Sequence, residues 1–205
     1  MLPSGFMRKT GVVLMLAAVL NAACDSNTPA VASAPAAAAV TNSEVTGTVP
    51  PNAIVSLIPA DGAPAPDGPA IMDQYAKQFV PNTLYVRVGQ PVEFRNSEDM
   101  PHNVTVLRRG SGTEVFNVST EPQQKYVHTF DRAGQFDVTC DIHPGMQATV
   151  ISAPGALATV ADGSGRFTLS NVKPGSYKLS LAFEGRTVEQ PLEVKDARTE
   201  VRITS

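Results

Sequence analysis

The chain has 205 residues, with 17 Pro, 15 Gly, no Trp, 17% charged side chains and a formal net charge of −3. That length accommodates one or two small domains, and the scattered, mildly acidic charge argues against a nucleic-acid partner. No unit recurs at a fixed period, which argues against a solenoid or a propeller.

The N-terminus reads as a targeting segment. Arg8 and Lys9 precede a mostly apolar stretch from Gly11 to Leu20, too short to span a bilayer as a helix and suited to a signal peptide, assigned here to residues 1–23. Asn21-Ala22-Ala23-Cys24 resembles a bacterial lipobox, with Asn21 where Leu is usual. The resemblance implies a lipidated Cys24, a membrane anchor and a place in the bacterial periplasm. Asp25, just after Cys24, hints at inner-membrane retention by the same resemblance. The alternatives are an ordinary secretory signal that leaves Cys24 as a stray thiol, or a Cys24–Cys140 disulfide between the only two cysteines. Removal of residues 1–23 takes Arg8 and Lys9 with it and leaves fourteen basic against nineteen acidic side chains, a net charge of −5. Residues 24–43 are rich in Ala, Pro and Ser and read as a flexible tether.

Val45-Thr46-Gly47-Thr48-Val49 and Ala53-Ile54-Val55-Ser56-Leu57 have strand character, and Ala60 to Pro69 is a Pro/Gly-rich linker. From Lys77 onward the apolar residues alternate with period two. Leu84, Val86 and Val88 share one face, Gly89-Gln90-Pro91 turns the chain, and Val92 and Phe94 alternate with Glu93 and Arg95. His102 shares a face with Val104 and Val106. After a turn at Gly110 to Thr113, Val115-Phe116 is a short strand and Tyr126 to Phe130 a longer one. Phe136, Val138 and Cys140 then share a face, and Gln147 to Ile151 resumes a strand. Because side chains alternate across a strand, His102 and Cys140 both point inward at strand ends.

Cys140-Asp141-Ile142-His143-Pro144-Gly145-Met146 places a thiolate, an imidazole and a thioether within seven residues. Soft sulfur ligands select Cu(I), imidazole suits copper in either oxidation state, and one Cys, two His and a weak axial Met make a blue-copper electron-transfer site. This segment supplies three such groups, and His102 is the candidate for the fourth. A buried Cys is often only a small hydrophobe. Cys and His also bind zinc, but a Met thioether is foreign to an ordinary zinc site. A binuclear copper centre would need a second nearby Cys. His128 alternates with Tyr126 and Phe130 and is assigned to the core, and Met100 to a loop near the site.

At these residues the chain resembles the cupredoxins, over about Ala70 to Ser152. The short Cys-x2-His-x2-Met loop is similar to that of the amicyanin-like members, whereas plastocyanin-type loops are longer. Gly89 to Asn96, Pro101-His102-Asn103-Val104 and Gly134 to Cys140 also carry the resemblance. Met72-Asp73-Gln74 and Phe79-Val80-Pro81 look like the plastocyanin-related, methylamine-utilisation-like proteins. The resemblance implies one copper ion cycling between Cu(I) and Cu(II), held by His102, Cys140, His143 and Met146. It also implies that Asn103 braces the ligand loop by hydrogen bonding, and that Pro144 lies beside the exposed edge of His143. A type 1 copper protein passing single electrons between redox partner proteins is the function so implied. The alternative is a carrier or reservoir that delivers Cu(I) to a partner. An enzyme is not expected, since four protein ligands leave no open position for substrate.

The C-terminal part alternates strands with turns at Asp162-Gly163-Ser164-Gly165 and Pro174-Gly175, and ends in strands over Thr187 to Val194 and Arg198 to Thr204. Asp162-x-x-Gly165-x-Phe167 followed by Pro174-Gly175-x-Tyr177-x-Leu179 resembles the carboxypeptidase regulatory-like (transthyretin-like) β-sandwich. That family's opening motif is missing just upstream and occurs instead at Val45 to Leu57. The expectation is therefore an all-β chain in which a cupredoxin Greek-key β-sandwich, residues 70–153, interrupts a second small β-sandwich formed by residues 44–60 and 154–205. Two domains in tandem are the alternative.

Overall fold

The computed structural model describes residues 42–195 and 197–203; the leader, Cys24 and the tether up to residue 41 lie outside them. The described residues are all β, as the Val/Thr-rich alternation and frequent turn residues require. In chain order the strands are β1 (Ser43–Thr48), β2 (Ile54–Pro59), β3 (Ala70–Tyr75), β4 (Gln78–Val80), β5 (Thr83–Arg87), β6 (Pro91–Asn96), β7 (His102–Arg108) and β8 (Thr113–Thr120). They continue with β9 (Lys125–Thr129), β10 (Gly134–Thr139), β11 (Gln147–Ala153), β12 (Leu157–Val160), β13 (Arg166–Val172), β14 (Gly175–Phe183), β15 (Arg186–Val194) and β16 (Arg198–Arg202).

Strands β3 to β11 make one sandwich of two sheets, ordered β5-β11-β10-β7-β8 and β4-β3-β6-β9. The chain leaves the first sheet after β8, crosses to the second for β9, and returns with β10 beside β7, a Greek-key path. Between the sheets lie Met72, Phe79, Val92, Phe94, Val104, Val106, Phe136, Val138 and Val150, all buried. At one pole this core ends in Cys140 and Met146 rather than in further aliphatic side chains. The short strand expected at Val115-Phe116 is eight residues long, because β8 pairs with β7 along its whole length, from His102 opposite Thr120 to Arg108 opposite Thr113. As an edge strand with mixed burial it lacks the clean alternation that marks its neighbours.

The other strands form a second small sandwich, with sheets ordered β13-β1-β16 and β12-β2-β14-β15. Its core comprises Val45, Val55, Leu57, Phe167, Leu169, Leu179, Leu181 and Val201 among others. Strand β1 lies between β13 and β16, and β2 between β12 and β14, so strands from before residue 70 sit inside both sheets. A smaller buried cluster of Ile54, Ile151, Ala153 and Ala182 joins the two sandwiches through β2, β11 and β14.

The turn before β13 is held by Asp162. Its Oδ1 accepts hydrogen bonds from the Ser164 N–H (2.8 Å), the Ser164 hydroxyl (2.6 Å) and the Arg166 N–H (2.9 Å). Gly165 follows at φ +82°, where a Cβ would come within 2.1 Å of the Val49 carbonyl oxygen, so only glycine fits.

Two outcomes follow from this architecture. Leu57 is fully buried, and Leu57→Ala should lower stability by about 2–5 kcal/mol in denaturant unfolding of the second sandwich. The bonds from Ser164 and then Arg166 hold the Asp162 carboxyl at about 2, below its ordinary 3.8. Since the folded value is the lower one, the stabilisation is complete above the ordinary value and is lost as pH falls toward 2. An NMR titration of this carboxyl should inflect near 2, and an inflection at the ordinary carboxylate value would contradict the turn geometry.

Candidate metal centre

Strands β7 and β10 are antiparallel neighbours, with Val138 opposite Val106 and Thr139 opposite Thr105. This register brings His102, the first residue of β7, and Cys140, the first beyond β10, to the same pole. Beyond Cys140 the chain folds back on itself. The Met146 N–H donates to the His143 carbonyl (3.2 Å), and the Cys140 N–H donates to the Met146 carbonyl (3.1 Å). Gly145 at φ +88° takes the left-handed conformation that this reversal needs.

Three atoms that could hold a metal ion, His102 Nδ1, Cys140 Sγ and His143 Nδ1, converge. The sulfur lies 3.8 Å from His102 Nδ1 and 3.7 Å from His143 Nδ1. The three side chains form a cluster whose donor atoms all lie within 4.8 Å of one another. His102 is fully buried, Cys140 is buried and has no disulfide partner among the described residues, and His143 is half-buried. Bonds of about 2.3 Å to sulfur and about 2.05 Å to imidazole nitrogen, meeting at about 120° on one transition ion, would separate sulfur and nitrogen by about 3.8 Å. The observed spacing therefore fits a single ion that these three side chains would hold together. The Met146 side chain is 1% exposed and belongs to the same buried cluster as Cys140.

Asn103 ties β7 to the segment after β10. Its Oδ1 accepts the Asp141 N–H at 2.7 Å, directly after the cysteine. Its Nδ2 lies 2.9 Å from Thr105 Oγ1, 3.1 Å from Asn117 Oδ1 and 2.8 Å from Asp141 Oδ2. The Asp141 carboxylate also accepts from the Thr105 hydroxyl (2.7 Å) and from Asn117 Nδ2 (3.0 Å). Hydrogen bonds from Thr105 and Asn103, the larger causes, keep the Asp141 carboxyl below the usual range against the opposing cost of its desolvation.

Glu98 stands behind the buried histidine. Its Oε2 is 3.4 Å from His102 Nε2, within ion-pair reach but not in hydrogen-bond geometry, so this buried nitrogen has no hydrogen-bond partner among the described residues. The Lys77 N–H donates to Glu98 Oε1 (2.6 Å) and is the main cause of a lowered Glu98 pKa. Sequence reasoning did not single out Glu98, Asp141, Thr105 or Asn117. The signal available for two of them was alternation: Thr105 falls on the outward phase of the strand that carries His102 inward, and Asp141 on the outward phase that continues past β10 beyond Cys140.

The remaining candidates lie elsewhere. His128 is half-buried on β9, with its ring centroid 4.7 Å from that of Phe116 and 4.8 Å from that of Phe130; desolvation lowers its pKa. Met100 is half-buried, and its carbonyl accepts from Asn96 Nδ2 (2.9 Å). Pro144 and Gly145 are exposed, as is Ile142 at 54%. Cys24 lies outside the described residues.

Fold and cluster together define a cupredoxin-type sandwich with one thiol and two imidazoles at its pole. The family model for "Copper binding proteins, plastocyanin/azurin family" matches residues 70–152. Amicyanin of Paracoccus denitrificans is 32% identical over 99 residues, covering 48% of this chain and 76% of that protein. Plastocyanin of Ginkgo biloba is 30% identical over 77 residues, covering 33% of this chain and 78% of that protein. Among solved structures, a reduced amicyanin variant matches at 28% identity with a TM-score of 0.39, covering 50% of this chain and 99% of the other. The chain thus belongs to the plastocyanin/azurin family of copper-binding proteins through the sandwich that carries the cluster.

Asn103→Ala removes the acceptor of the Asp141 N–H and leaves Asp141 Oδ2 without one of its donors. Because Asn103 is buried and these bonds are part-buried, stability should fall by about 1–3 kcal/mol. In the metal-free protein, amide exchange should accelerate at residue 141 ahead of β10.

Proposed function

We propose that the chain is a type 1 copper protein that carries single electrons between partner proteins. His102 Nδ1, Cys140 Sγ and His143 Nδ1 hold one ion, and the thioether of Met146 is the fourth, weak ligand. The observation that carries this reading is the buried sulfur lying 3.7 and 3.8 Å from two imidazole nitrogens. A thiolate, two imidazoles and a thioether form a donor set suited to both oxidation states of copper. A bound copper ion supplies a one-electron Cu(II)/Cu(I) couple. The protein's part is to keep the donors in one arrangement as the charge changes. Residue 102 is anchored on β7, residue 140 directly follows β10, and the return loop is closed by its own backbone bonds. Burial of His102 and Cys140 keeps water from the donors, while half-buried His143 offers an edge toward solvent. Ile142, Pro144 and Gly145 are exposed around it and form a small, uncharged contact surface for a redox partner.

The proposal places this site in the bacterial periplasm, tethered to a membrane through a lipidated Cys24; its support is the basic, apolar and Cys-terminated run at residues 8–24. Residues 44–60 and 154–205 are read as one carboxypeptidase regulatory-like sandwich interrupted by the copper-binding domain at 70–153. The pairing of β1 with β13 and of β2 with β14 supports this reading.

Addition of Cu(II) to the purified soluble part should give one equivalent of bound copper with an intense visible thiolate-to-copper band. Cys140→Ala should abolish the band, and its persistence would refute the ligand assignment. Fast, reversible reduction with the ion retained is the result for an electron carrier. Ready loss of Cu(I) to a chelator would identify a protein that delivers the metal instead.

A further inference from the structure

The Gln74 side chain on β3 is fully buried, yet it is an amide with no place in an apolar core unless its polar atoms are satisfied. Both are satisfied, and both lead to the flanks of His102. Gln74 Nε2 donates to the main-chain carbonyl of Asn103 at 3.2 Å, the residue directly after the histidine. Gln74 Oε1 accepts the Thr120 hydroxyl at 2.7 Å, and Thr120 is the residue opposite His102 in the β7–β8 ladder. A second buried amide extends the link. Asn96, opposite Gln74 in the β3–β6 ladder, donates through Nδ2 to the Thr120 carbonyl (2.8 Å) and to the Met100 carbonyl (2.9 Å), two residues before His102.

Gln74 and Asn96 belong to the sheet β4-β3-β6-β9, whereas Asn103 and Thr120 belong to the opposite sheet. At this pole the two sheets are therefore joined by directional hydrogen bonds in addition to side-chain packing. We propose that Gln74 is a positioning residue for the metal centre: with Thr120 and Asn96 it clamps the His102 segment from the facing sheet and fixes the imidazole against the Cys140 sulfur. The inference rests on the ligand assignment above and adds to it the part played by β3. Dispersion contacts alone tolerate small shifts of β7, whereas an amide bonded at both ends holds the strand at one height. Loss of either bond leaves a buried carbonyl or hydroxyl unsatisfied, so the clamp resists opening from both sides.

Three variants of the full chain test this. Gln74→Met keeps the length and apolar stem but removes both polar atoms; Thr120→Val removes one arm; Thr120→Ser keeps the hydroxyl. In the metal-free protein, Gln74→Met should accelerate amide exchange at residues 102–104 roughly tenfold relative to β10. In the copper-loaded protein, Gln74→Met and Thr120→Val should shift the thiolate-to-copper absorption and the reduction potential, while Thr120→Ser restores the unmodified values. Unchanged exchange would overturn the clamp. Faster exchange with an unaltered spectrum and potential would reduce Gln74 to a purely structural residue and overturn the positioning role. Absence of coloured copper in the unmodified chain would refute the ligand assignment itself, and this inference with it.

Discussion

The antiparallel pairing of β7 with β10 is the constraint from which the rest of the site follows. One residue of slip in this ladder would turn either His102 or Cys140 out of the core, because side chains alternate faces at every step. The register is held from below by apolar partners, with Val106 opposite Val138, both fully buried. From above it is held by Asn103, whose side chain spans from β7 to the backbone of Asp141. Burial and hydrogen bonding within the chain align these strands and bring the side chains of His102 and Cys140 to one pole.

The polar groups at this pole divide by face. Inward-pointing His102, Cys140 and Met146 take the end of the apolar core, where water is excluded. Outward-pointing Asn103, Thr105, Asn117 and Asp141 form a compact network that stiffens the same strands without entering the donor set. A third group, Gln74, Asn96 and Thr120, joins the two sheets through the interior. Such an arrangement lets a soft, charged site be rigid while most of the sandwich is held by nondirectional packing.

Much of this was legible in the chain itself. Period-two alternation gave the inward phase of His102 and Cys140, and the Cys-x2-His-x2-Met spacing named the chemistry. The all-β class followed from turn residues and short strands, and the expectation of two sandwiches from the family resemblances. Long-range polar pairs were less accessible. Gln74 and Thr120 lie 46 positions apart, and nothing local marks either as buried. Glu93 falls on the outward phase of β6, yet it is only 5% exposed because Arg95 and Lys125 cover it. Alternation assigns a face, but it does not say whether long side chains from neighbouring strands will close over that face.

The central claim is that one copper ion is bound by the sulfur of Cys140 and the imidazoles of His102 and His143. X-ray absorption of the copper-loaded chain in both oxidation states tests it most directly. The account predicts one short copper–sulfur and two copper–nitrogen distances that barely change on reduction. A first shell of nitrogen and oxygen alone, or a sulfur present in only one oxidation state, would contradict it.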